Sequence, residues 1–172
     1  HINSEGKTVM KFNTNYSITK TLSDAIIQNN QSDYIIIHLP GVLTNNKNYA
    51  RPLIKTFIPL LLTNDKINIF NSDSKFNAII DTYEIFKFIQ FTFKIKNKIK
   101  SNFILSANNP MIFKKLILRI KLLLKSKSII ELMKSNKKNH NHVIKVDKLE
   151  KYFTYKLPTT KIILDRYIND NY

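Results

Sequence analysis

The chain has 172 residues and a mass of 20.2 kDa, the size of one ordinary domain or one large piece of a bigger protein. It is 43% hydrophobic and 23% charged, enough to bury a core, and it has no cysteine, which excludes disulfide scaffolds, thiol nucleophiles and cysteine zinc sites. The formal net charge is +16, and the only glycines are Gly6 and Gly41, so neither a Rossmann glycine fingerprint nor a Walker loop fits within the chain.

Residues 1–15 are polar and show no periodicity. From Tyr16, the spacing of Ile18, Leu22, Ala25 and Ile26 predicts a helix with one apolar face, ending in the polar cluster Gln28 to Ser32. Tyr34 to Leu39 is a β-branched run stopped by Pro40-Gly41, which suits a strand covered on both faces in a parallel sheet. A second helix is predicted over roughly Tyr49 to Leu62, with Arg51-Pro52 at its first turn and Pro59 kinking or shortening it. Ile67 to Phe70 reads as a short strand, Asn71 to Ser74 as a turn, Asn77 to Thr82 as a strand and Tyr83 to about Phe93 as a strongly apolar helix. Asn102 to Ser106 reads as a strand, and Asn108-Asn109-Pro110 opens a helix through Leu124. Ser128 to Met133 and His142 to Val146 read as strands, Asp147 as the cap of a short helix, and Thr159 or Thr160 as the cap of a last helix ending near Asp170. The alternation of helix, buried strand and turn predicts an α/β fold.

The charge balance of 28 basic against 12 acidic residues points first to nucleic acid or an anionic surface. Arginine, the better bidentate phosphate ligand, occurs only at positions 51, 119 and 166, whereas 25 Lys, 27 Ile and 21 Asn dominate the composition. These three residue types share A/T-rich codons, so a biased genome accounts for the surplus, and nucleic acid is disfavoured as a partner. Phe86, Phe88, Phe91 and Phe93, followed by Lys94, Lys96, Lys98 and Lys100, form either an aromatic platform beside a basic stripe or simply core. No signal peptide follows His1, and the longest apolar runs fall far short of the ~20 residues of a membrane span. The reading is cytoplasmic, with no membrane partner. His140 and His142 sit two apart without a third ligand, so no metal is expected.

Tyr16 and Lys20 place a phenol and an ammonium at i and i+4 on one helix face. A cation beside a tyrosine favours the phenolate and suits proton transfer at a carbinol or carbonyl when a hydride carrier is near. The spacing alone is weak. About one such pair is expected by chance, and three occur, the others being Tyr83 with Lys87 and Tyr152 with Lys156.

Context favours the first pair. Asn13 to Lys20, a helix, then Ile35 to Val42 with Pro40-Gly41, resembles the extended short-chain dehydrogenase/reductase family of NAD(P)-dependent nucleotide-sugar epimerases and dehydratases, in which N-P-Y-G-x-S-K, a helix and a strand precede R-x-P-G-x-x. Phe76 to Ile85 is similar to the family's segment ending in V-D-D before a helix. Val146 to Lys151, Tyr155 to Pro158 and Leu164 to Ile168 resemble its closing I-D-x-S-K, G-Y-K-P and final helix.

The resemblance implies a partial Rossmann-type parallel-sheet domain (residues 1–43 and 76–106) interleaved with a small α+β substrate-binding region (44–75 and 107–172). It implies Tyr16 as catalytic acid/base, Lys20 as the group that lowers its pKa and holds the nicotinamide ribose, and Pro40, Gly41 and Val42 beside the nicotinamide of NAD or NADP. A nucleotide sugar is the implied substrate, polysaccharide biosynthesis the implied setting, and a homodimer is compatible with it. Arg51 and Asn77 are the candidates for contact with the substrate. His38 stands where the family has Arg, Asn77 where many members place an Arg against the diphosphate, and Tyr83 and Glu84 replace paired aspartates. Only fifteen residues precede Tyr16, too few for the family's glycine-rich turn, ribose-binding acid and upstream Ser or Thr, and neither Ser4 nor Thr8 is marked as the partner hydroxyl. The expectation is therefore a C-terminal fragment of such an enzyme. The alternatives are a non-catalytic basic module binding nucleic acid or an anionic surface, and an inactive truncated copy.

Overall fold

The computed structural model describes residues 14–30, 32–44, 56–134 and 141–172. Six helices and eight short strands alternate along them: α1 (Asn15–Asn29), β1 (Tyr34–His38), β2 (Gly41–Leu43), α2 (Ile58–Leu62), β3 (Ile67–Ile69), β4 (Lys75–Phe76), β5 (Ile79–Asp81), α3 (Thr82–Thr92), β6 (Lys100–Ile104), β7 (Met111–Ile112), α4 (Phe113–Leu123), β8 (Ile130–Leu132), α5 (Asp147–Phe153) and α6 (Thr160–Asn171). The expected α/β class is what the structure shows.

Three of the four strand pairs are parallel: β1 with β6, β2 with β5 and β3 with β8. Parallel neighbours need long crossovers, and helices make them here. β1 runs beside β6 with Ile36 opposite Asn102. Beyond the ladder, the Leu105 amide still donates to the His38 carbonyl at 3.1 Å, and two residues later the Ala107 amide donates to Ile79 at 2.8 Å. The chain after β6 thus leaves β1 and joins β5. The Gly41 amide meets the Ala78 carbonyl at 3.1 Å, so residues 38–43, 76–81 and 104–108 converge in one place.

The core is mostly Ile, Leu and Phe, with Ile69, Ile80, Phe88, Leu116, Ile117, Ile120, Ile163 and Leu164 fully buried. α4 and α6 cover this layer, locked by Arg119, whose guanidinium donates to both oxygens of Asp165 at 2.7 and 2.8 Å. The hydrogen bond to Asp165 holds the Arg119 pKa above its usual value.

Several elements differ from the predicted ones. The last helix before residue 124 starts at Phe113, not Asn108, because Met111 and Ile112 first pair antiparallel with Phe76 and Lys75. Residues 142–146 do not form a strand. Only His142 bridges to Phe76, and the Ile144 amide is taken by the Asn77 side chain at 2.7 Å, which replaces the ladder. Asp147 is the first helical residue rather than the cap, and it places its charge in the first turn of α5. Pro59 lies in the first turn of α2, where its missing N–H costs nothing, so it starts that α-helix rather than kinking it. The predicted start of that helix at Tyr49 to Arg51 lies outside the described residues.

Candidate functional site

α1 begins with a reciprocal cap. The Ser17 amide donates to Thr14 Oγ1 at 3.2 Å, and the Thr14 amide donates to Ser17 Oγ at 3.2 Å. Two orphan donors of the first turn are satisfied in this way. The cap fixes where the helix starts, and hence where Tyr16 and Lys20 project. Tyr16 is 72% exposed, and the Lys20 ammonium stands 5.8 Å from the centre of its ring. The two side chains therefore meet as a cation over an aromatic face, open to a ligand.

One turn further on, Asp24 reaches back to the sheet, with a carboxylate oxygen 3.7 Å from His38 Nε2 at the carboxyl end of β1. That distance is an ion pair in reach, not a hydrogen bond, and His38 Nε2 is buried without a partner. Burial pulls the imidazole below its ordinary value of 6.5, against the pull of the Asp24 charge. Immediately after His38 and Leu39, half-buried Pro40, Gly41 and Val42 turn the chain into β2. This is the carboxyl end of a parallel strand, where α/β proteins gather ligands.

Asn77 lies below the surface. Its amide nitrogen donates to the carbonyls of Ala107 and Ile144 at 2.8 Å each, and its oxygen accepts from Ile144 at 2.7 Å. Both amide hydrogens are thereby spent on the backbone, so Asn77 clamps two segments where the sequence suggested a group facing a diphosphate. Arg51, Ser4 and Thr8 lie outside the described residues.

A second polar group was not anticipated as a unit. Asp81 ends β5, caps α3 by accepting from the Glu84 amide at 2.9 Å, and takes two hydrogen bonds from Arg166. Glu84 is buried and accepts from the Tyr155 phenol. Burial, then Glu84, pushes that phenol well above the ordinary tyrosine range. Tyr83 covers the Arg166 guanidinium, its ring centre 4.3 Å away. The signal in the sequence was modest: an acid directly before a helix, and one of only three arginines.

Among the described residues no group of three His, Cys, Asp or Glu is placed to hold a metal ion, and no helix is long and apolar enough to cross a membrane. His140 lies outside them.

No protein-family model and no curated protein sequence matches the chain. Solved structures do match its fold. The UDP-N-acetylglucosamine 4-epimerase from Bacillus cereus superposes with a TM-score of 0.72 and 12% identity, over 96% of this chain and 57% of that one. The dTDP-glucose 4,6-dehydratase from Bacillus anthracis, solved in complex with NAD, gives 0.65 and 17%, over 97% and 54%. The Bordetella bronchiseptica enzyme WbmG, solved with NAD and UDP, gives 0.68 and 14%, over 98% and 57%. The chain spans little more than half the length of these proteins. Over nearly all of its own length it shares the α/β fold of these structures.

Proposed function

We propose that this chain is the C-terminal part of an NAD(P)-dependent enzyme that epimerises, dehydrates or reduces a nucleotide-linked sugar for polysaccharide synthesis, with Tyr16 as its acid/base. The observation that carries the reading is one juxtaposition. A capped helix presents an exposed Tyr16 with the Lys20 ammonium over its ring, and it leads directly into β1 and the Pro40-Gly41 turn, within a fold matched over 96% of the chain. Residues 1–43 and 76–106 would be the remaining part of the cofactor domain, and 44–75 and 107–172 the substrate-binding region.

The donors fit the nicotinamide-ribose half of such a cofactor. Lys20 offers an ammonium to ribose hydroxyls, and Pro40, Gly41 and Val42 offer an uncharged surface to the nicotinamide. Gly41 is the one glycine among the described residues, so the diphosphate takes its grip from elsewhere in the whole enzyme. When bound, the cofactor supplies hydride exchange with the sugar. Tyr16 holds the proton at its phenolic oxygen and would exchange it with the sugar oxygen whose carbon gains or loses the hydride. The phenolate takes the hydroxyl proton as that carbon is oxidised, and the phenol returns it as the carbonyl is reduced. Lys20 places a positive charge beside the ring, which balances charge developing on that oxygen. Arg51 is proposed to meet the substrate diphosphate, and Asn77 to hold residues 107 and 144 in place behind the site.

The test uses the open reading frame that contains this chain in full, assayed for NAD(P)H change with UDP- and dTDP-linked sugars. Tyr16→Phe is expected to lower turnover by about 10²- to 10⁴-fold while leaving cofactor binding in place. A variant that keeps its turnover would sink the proposal.

A further inference from the structure

We propose that the outer face of α3, with the lysines that follow it, docks the protein on an anionic lipid surface. α3 is apolar on two sides. Its inner side carries Phe88, fully buried against Phe91, Phe153 and Tyr155 with ring centres 5.2 to 6.2 Å away. Its outer side carries Tyr83, Phe86, Ile89 and, at the end of the helix, Phe93, which are 56, 60, 44 and 84% exposed. Their spacing places them in one stripe about 15 Å long. With its core side already filled, the helix still shows a second stripe of large apolar side chains, and such patches mark interaction surfaces.

Charge selects the occupant. Residues 82–100 hold five lysines and a single acid, Glu84, which is buried beneath the helix against Tyr155. Lys87, Lys94, Lys96 and Lys98 are exposed, and none of the last three has an ion-pair partner among the described residues. The surface of this segment is thus apolar and positive with no exposed carboxylate. An interfacial helix has this character: an apolar stripe that enters the acyl boundary, and lysines that reach headgroup phosphates. A second copy of this same face is a poor occupant, since it would set Lys94, Lys96 and Lys98 against their own counterparts. A single-stranded nucleic acid would need successive π-faces to stack on, but Phe86 and Phe93 are about 10 Å apart along the axis with Ile89 between them. No helix among the described residues is long and apolar enough to cross a membrane.

F93W, made in the full open reading frame, places a tryptophan at an exposed position, and its signal is read as the difference from the parent protein. Its emission is read on vesicles of phosphatidylcholine alone, and on vesicles in which about a third of the lipid is phosphatidylglycerol. The expected result is a blue shift and quenching by brominated acyl chains on the anionic vesicles only, weakening with salt. In the same background, Phe86→Ser should weaken binding at least about tenfold. Replacing Lys94 and Lys98 by Gln should weaken it about fivefold for each lysine. All these side chains are exposed, and far-ultraviolet dichroism checks that each variant is folded. No shift on anionic vesicles, equal binding to neutral ones, affinity unchanged by the lysine substitutions, or an F93W signal that answers to single-stranded RNA instead would each overturn the proposal.

Discussion

Arg166 binds Asp81 through two hydrogen bonds of 2.6 and 3.0 Å, although 85 positions separate them in the chain. The pair joins the last helix to the point where β5 becomes α3. The Asp81 side chain is 6% exposed and that of Arg166 24%, so neither is freely hydrated. Removing one partner strands a charge in a poorly solvated place. Arg166→Met should therefore cost about 3 kcal/mol or more in urea unfolding, since it leaves Asp81 and the buried Glu84 without their cation. A loss below about 1 kcal/mol would mean that the cluster is solvated in solution.

Tyr155→Phe removes the phenol that Glu84 accepts from, and leaves the carboxylate with Arg166 at 3.5 Å as its remaining side-chain partner among the described residues. The expected loss is about 1–3 kcal/mol. A double-mutant cycle with Glu84→Gln should show coupling, because the two groups share one hydrogen bond.

Alkaline titration should separate the tyrosines. Burial raises both Tyr155 and Tyr167 above the ordinary 10, helped by Glu84 in the first and by Tyr172 in the second. The unfolded chain then loses these protons first as pH climbs past 10, so their stabilisation is complete below 10 and is lost above it. Absorbance of phenolate should show two of the eight tyrosines ionising late, together with unfolding.

His38 gives the opposite slope at the other end of the scale. Burial holds its native pKa below 6.5, so the unfolded chain binds the proton more readily. The associated stability is complete above 6.5 and declines as pH falls through and below that value. His38→Asn should flatten the urea midpoint against pH in this window, and an unchanged slope would assign it to other groups.

Asn77→Ala should behave as a structural lesion. It strips three hydrogen bonds from Ala107 and Ile144 in a buried setting, and a loss of about 2–4 kcal/mol is expected. Tyr16→Phe, by contrast, should leave unfolding unchanged within about 0.5 kcal/mol, because Tyr16 is 72% exposed.

Local patterns could be read directly along the chain. Ile35-Ile36-Ile37 announces a strand of a parallel sheet because both of its faces are covered, and the structure pairs it parallel with residues 101–103. The period of the helix puts Tyr16 and Lys20 on one face wherever α1 sits. Thr159 marks the start of α6 because its hydroxyl accepts from the Ile162 amide. The order of segments was enough to suggest the fold that the solved structures share.

Partners across the fold were another matter. Ile18, Leu22 and Ile26 look like a core-facing stripe, yet they are 37, 56 and 72% exposed. Periodicity says which residues share a face, and nothing about what lies opposite. Met111 and Ile112 read as helix until β4 captures their backbone, and residues 142–146 read as strand until Asn77 takes the amide of Ile144. The Asp81–Arg166 and Glu84–Tyr155 contacts close over 85 and 71 positions. A charged side chain in a sequence carries no record of such a partner. Whether it stays solvated or becomes a buried tie depends on the desolvation and pairing that only packing supplies.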